Sequence, residues 1–124
     1  MMRVVAILLF FVLVTFQANA QESKHKILDK VTFQDSLNQH SILLIDVRTP
    51  EEFKAGHIKH AKNINFLNPE FFKAEIEKID KSKPVYIYCR SGNRSNKAAL
   101  KMQEFGFEKI YDLDGGYLKW TAEE

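Results

Sequence analysis

Apolar residues in this chain fall into short runs that alternate between two spacings. Ile42-Leu43-Leu44-Ile45, within Ser41 to Val47, is an unbroken apolar run. So is Val85-Tyr86-Ile87-Tyr88. Runs of this kind suit strands covered on both faces, as in a parallel sheet. Between them the spacing becomes helical. Phe72, Ile76 and Ile79 fall on one helical face, and Ala98, Ala99, Met102 and Phe105 on another. Punctuation agrees with this division. Thr49-Pro50 predicts a cap and first residue for a short helix over 51–55, ended by Gly56. Asn68-Pro69 predicts the same start for the next helix. Thr32, with Asp35 three residues on, predicts the start of the first one. Ser82-Lys83-Pro84 and Asp114-Gly115-Gly116 are turns. Residues 61–65 and Ile110-Tyr111 predict short strands, residues 95–105 a helix ended by Gly106, and residues 117–120 a terminal helix. Strand and helix alternate, so the expected class is α/β, a small parallel-sheet sandwich with helices on both faces. Sites in such folds form beyond the carboxyl ends of strands. Asp46–Pro50 and Cys89–Ser95 both fall there.

The first twenty residues fit a different purpose. Arg3 is a positive start, residues 4–16 form an uncharged apolar stretch, and Ala18-Asn19-Ala20 supplies small residues before Gln21. This is the pattern of a cleaved signal peptide, with an uncleaved N-terminal anchor as the alternative. A membrane span needs about 20 apolar residues, more than this stretch holds. The expected organisation is a signal peptide over 1–20, a charged, featureless arm over 21–30 and one domain over 31–124. The expected location is an exported one, a bacterial periplasm, with no stable membrane association after cleavage. Beyond residue 20 the chain carries 17 basic and 16 acidic residues, a formal charge of +1. Such balance gives no case for nucleic acid as a partner.

Cys89 is the only cysteine in 124 residues. It cannot form an internal disulfide, and in an exported chain a lone cysteine is a reactive thiol or an intermolecular partner. It opens the polar loop Cys89-Arg90-Ser91-Gly92-Asn93-Arg94-Ser95, between an apolar strand and a helical pattern. Backbone N–H groups converge readily in that setting, and the helix turns its positive end toward them. Gly92 permits backbone angles that a side chain resists. Arg90 and Arg94 add permanent charge. Thiols at helix N-termini among cations ionise more readily than free ones. The loop therefore suits a nucleophilic sulfur, and the same amides suit an oxyanion or a terminal persulfide sulfur. A buried, inert cysteine is the plainer alternative, and the polar loop argues against it.

Four segments, in order, resemble the rhodanese domain family. They are Leu44-Ile45-Asp46-Val47-Arg48-Thr49-Pro50-Glu51-Glu52-Phe53, then Gly56-His57-Ile58 with Ala61 and Asn63-Ile64, then residues 88–95, and last Leu113-Asp114-Gly115-Gly116-Tyr117 with Trp120. The resemblance implies a sulfurtransferase. Cys89 would take sulfane sulfur from a small anionic donor such as thiosulfate and pass it, as a persulfide, to cyanide, a thiol or a protein thiol. Arg90 and Arg94 would attract the donor, and the amides of Arg90, Ser91, Gly92, Asn93, Arg94 and Ser95 would cradle the sulfur. Asp46 and Arg48 would organise the neighbouring loop. No metal and no organic cofactor is implied.

His60 stands where the family usually has glycine, and histidine tolerates unusual backbone angles better than most residues. His57 matches the family's histidine and reads as a side chain bonding locally. Tyr117 and Trp120 read as a terminal core anchor. Two other functions fit the loop. Phosphatase relatives use Cys-x5-Arg around a phosphate, whereas here the arginine comes one position earlier, at Arg94. A sulfur-carrying or redox-sensing module could use the same cysteine without efficient turnover.

Overall fold

The computed structural model describes residues 23–39 and 41–123. The expected signal peptide, residues 1–20, lies outside them. Five strands are present among these residues: β1 (His25–Leu28), β2 (Leu43–Asp46), β3 (Lys62–Asn63), β4 (Val85–Tyr88) and β5 (Ile110–Leu113). The helices are α1 (Lys30–Gln39), α2 (Pro50–Ala55), α3 (Pro69–Glu77), α4 (Asn93–Glu104) and α5 (Gly116–Thr121). The sheet order is β1-β5-β4-β2-β3, every pair parallel.

Strand alternation divides the core into two layers. Ile45, Val85, Ile87 and Ile110 face one side, with Phe72 and Ile76 of α3 and Ala98, Ala99 and Met102 of α4. Leu44, Tyr86, Tyr88 and Leu113 face the other, with Phe33 of α1 and, on α5, Tyr117 and Trp120. The unbroken apolar runs are thus strands with helices on both faces, as their pattern predicts.

Local chemistry explains most boundaries. Thr49 caps α2 in a reciprocal capping box with Glu52, and Pro50 opens the helix. Asn68 Oδ1 accepts the Phe71 N–H at 3.2 Å, and Pro69 opens α3. Two boundaries differ from expectation. Asp29, not Thr32, caps α1: its Oδ1 accepts the Thr32 N–H at 2.8 Å and its carbonyl the Phe33 N–H at 2.9 Å. α4 starts at Asn93, two residues earlier than predicted, because Gly92 supplies the left-handed turn (φ 114°) before it.

The larger difference is the N-terminal arm. Residues 25–28 are a strand, not a featureless tail. His25 pairs in register with Ile110, and Leu28 with Leu113. The run His-Lys-Ile-Leu has little apolar content, because an edge strand needs one inward face only.

Phe33 is fully buried and meets Tyr86 and Trp120 edge-to-face, at centroid distances of 5.4 and 6.3 Å. Phe33→Ala is expected to lower unfolding stability by about 3–5 kcal/mol, measured by urea denaturation.

Candidate active site

β2 and β4 are neighbours, with Asp46 opposite Tyr88. Their carboxyl ends deliver the two loops marked in the sequence to one place. Val47 N–H donates to Tyr88 O at 3.0 Å and holds the loop bases together.

Cys89 follows Tyr88 directly. Its alternation places it in the α3/α4 layer, and it is 1% exposed. The polar loop does not bring the thiol to the surface: Arg90, Ser91 and Asn93 are exposed, and the sulfur lies beneath them. Gly92 N–H donates to Cys89 Sγ at 3.0 Å. Ser95 Oγ lies 3.4 Å from Sγ and donates to Gly92 O at 3.1 Å. Gly92 is the N-cap of α4 and offers no capping side chain. Among the described residues, the Asn93, Arg94 and Ser95 N–H groups of the first helical turn meet no carbonyl acceptor. One amide of the expected cradle therefore touches the sulfur, and those three remain available.

The loop's carbonyls point the other way. Tyr117 N–H donates to Cys89 O at 2.8 Å, and Leu118 N–H to Arg90 O at 3.0 Å. Gly116 makes this contact possible. Its φ is 58°, and a Cβ there would stand 2.5 Å from Cys89 O and 2.6 Å from Arg90 O. The Gly115-Gly116 segment is thus the seat of the loop.

Arg94 is not free to face a donor. Nη1 and Nη2 donate to the two carboxylate oxygens of Glu52 at 2.6 and 2.9 Å. This fork joins α4 to α2, and Glu52 also closes the α2 capping box. The Glu52 hydrogen bond, with a smaller contribution from the charge of nearby Cys89, raises the Arg94 pKa. The guanidinium's position is fixed by Glu52, a partner 42 residues away. Arg90 is exposed on the rim and, among the described residues, is the loop arginine not engaged in an ion pair.

Asp46 and Arg48 are both buried, at 0% and 4% exposure. Arg48 Nε donates to both Asp46 carboxylate oxygens at 3.0 Å, and Nη2 to Oδ2 at 2.6 Å. Nη2 also donates to Gly56 O at 2.7 Å. The guanidinium lies 4.4 Å from the Tyr117 ring centre and 5.6 Å from that of Tyr88. Burial alone would lower the Arg48 pKa; the Asp46 hydrogen bonds and charge outweigh it and raise it. Tyr88 Oη accepts the Ile58 N–H at 3.0 Å, and burial holds this phenol above its ordinary range. The Asp46–Arg48 pair therefore joins β2, the end of α2 and α5. Among the described residues, no contact places it on Cys89.

His57 bonds locally, as read from the sequence: Nδ1 lies 2.8 Å from Phe53 O and the ring stacks on Phe53. His60 has φ 69°, an angle glycine meets without strain. Trp120 packs on Phe33, whereas Tyr117 serves the site through Arg48. One set was missed in the sequence. Asp112 of β5 is buried beside Ser95, and His25 of β1 lies 2.9 Å from its Oδ2.

Residues 29–123 match the Rhodanese-like domain family, and the chain belongs to that family. It is 32% identical over 121 residues to the uncharacterized protein YqhL of Bacillus subtilis, covering 97% of this chain and 94% of that one. It is 35% identical over 86 residues to the thiosulfate sulfurtransferase GlpE of Pseudoalteromonas translucida, covering 69% of this chain and 79% of GlpE. A rhodanese-like domain protein from Staphylococcus aureus superposes with a TM-score of 0.69 at 26% identity, covering 79% and 93% of the two chains.

Arg94 holds Glu52 at about 2, against an ordinary 4.5. A depressed carboxyl contributes stability above its unfolded pKa and loses it as pH falls through the folded one. The wild-type advantage over Glu52→Gln in urea midpoint is expected to be constant at neutral pH. It should narrow below about pH 4.5 and vanish near pH 2.

Proposed function

We propose that the chain is a sulfurtransferase working through a persulfide on Cys89. The observation that carries this reading is the sulfur itself. It sits on the Gly92 N–H, beside the unoccupied amides of the first turn of α4. Such a set stabilises one sulfur anion.

The Cys89 thiolate attacks the sulfane sulfur of an anionic donor such as thiosulfate. A new S–S bond forms, the donor's S–S bond breaks, and sulfite leaves with the bonding pair. The terminal persulfide sulfur then carries the negative charge, and the Asn93, Arg94 and Ser95 amides are the groups placed to receive it. A thiophilic acceptor, cyanide or a thiol, attacks that sulfur and releases the Cys89 thiolate. Arg90, exposed on the rim, attracts the donor. Arg94 acts from behind, as a fixed charge tied to Glu52. An arginine so tied, one position too early for a Cys-x5-Arg loop, supports sulfur over phosphate.

A protein thiol fits the acceptor role, and an exported location fits the sequence of residues 1–20. The burial of Cys89 favours a second reading, a module that carries sulfur or senses oxidants and turns over slowly.

Purified protein is expected to form thiocyanate from thiosulfate and cyanide, and Cys89→Ser to abolish this. Equal thiocyanate formation by the serine variant would end the proposal. Stoichiometric labelling of Cys89 without turnover would select the carrier reading.

A further inference from the structure

The three arginines beyond residue 20, Arg48, Arg90 and Arg94, all belong to the two segments that follow β2 and β4. Two of them are already compensated by carboxylates. Arg48 is closed onto buried Asp46. Arg94 is closed onto Glu52 through both terminal nitrogens, at 2.6 and 2.9 Å, the two side chains being 21% and 28% exposed. Arg94 holds Glu52 at about 2, so this carboxylate stays ionised at any neutral pH. Arg90 remains, and it stands in water, where solvent and salt weaken its pull.

The sulfur that receives a donor lies deeper. It is 1% exposed, on the Gly92 N–H at 3.0 Å, before the N-terminus of α4. A helix end presents about half a positive charge. These groups suit one negative charge on sulfur. A second charge on the same small molecule finds no uncompensated cation below the rim.

We propose that Glu52 sets the charge of the molecule that Cys89 accepts, favouring a monoanionic sulfur donor over a small dianion. Compensation of Arg94 is the means. A thiosulfonate is the simplest donor of the favoured class. The Cys89 thiolate attacks its outer sulfur, the Sγ–S bond forms, the donor's S–S bond breaks, and a sulfinate leaves with the bonding pair. The persulfide formed is the same as from thiosulfate, and no proton, oxidant or reductant is needed. Glu52 touches no reacting atom; it is a specificity residue acting through Arg94. The inference rests on the sulfur-transfer reading for its donor class, whereas its electrostatic part can be read on the thiol alone.

Two ratios in the full chain test it. The first is the rate constant for Cys89 alkylation by iodoacetate over that by iodoacetamide, reagents of similar size that differ by one negative charge. The thiolate fraction cancels in this ratio, and no sulfur donor is involved. The second is kcat/KM for thiosulfate over that for methanethiosulfonate, with cyanide as acceptor. Glu52→Gln keeps a side chain that can close the α2 capping box and leaves Arg94 uncompensated. It is expected to raise both ratios by about tenfold, the effect of one charge a few ångströms away in a partly buried site. Adding Arg94→Gln is expected to return both to their wild-type values.

An unchanged alkylation ratio in Glu52→Gln, with both reagents slowed by one factor or neither, would overturn the proposal. So would a ratio that stays raised in the double variant. A raised alkylation ratio with an unchanged donor ratio would overturn the donor assignment. A raised alkylation ratio in a protein that forms no thiocyanate from either donor would support the charge filter and count against the sulfurtransferase reading alone.

Discussion

The carbonyl groups of Cys89 and Arg90 must be satisfied before the loop can turn its amides to a sulfur. The N-terminus of α5 does this, through the Tyr117 and Leu118 N–H groups. An N-terminal turn has unused donors, and the loop has unused acceptors. Their meeting satisfies both and leaves Gly92 N–H free to reach Sγ. The approach is so close that position 116 has no room for a Cβ. A contact between two backbones, 28 residues apart in sequence, thus fixes which way the chemistry faces.

The buried charges around the loop act in the same direction. Asp46 and Arg48 satisfy one another, and Gly56 O takes a further Arg48 donor. Tyr117, whose amide holds the Cys89 carbonyl, lies with its ring on the same guanidinium. Buried ion pairs add little net stability when complete, but losing one partner costs about 3–5 kcal/mol. Their effect here is to admit one arrangement of β2, α2 and α5. The Glu52–Arg94 fork does the same for α2 and α4. The site is rigid because separate elements are each tied to it by groups that cannot be left unpaired.

Much of this was legible in the chain. Unbroken apolar runs gave β2 and β4, since a strand covered on both faces has no polar side to show. Thr49-Pro50 and Asn68-Pro69 gave two helix starts, because caps are local chemistry. The loop from Cys89 to Ser95 carried its own meaning in one thiol, one glycine and two arginines. What stayed hidden depends on distance along the chain. β1 exists through pairing with β5, 85 positions later in register, so residues 25–28 carry little strand pattern of their own. Glu52 reads as one acid in an acidic turn until Arg94 is brought to it. Asp112 and His25 look like ordinary polar residues until the β1–β5 pairing brings them together in the interior. The depth of Cys89 was hidden too, because strand parity, not loop polarity, decides where the residue after Tyr88 points.

The claim on which the rest depends is that this loop holds a single sulfur on Cys89. Intact mass of the protein after thiosulfate treatment measures it directly. A gain of one sulfur atom per chain, absent in Cys89→Ser and removed by cyanide or a thiol, is the expected result. An unchanged mass under conditions where Cys89 still alkylates would contradict it.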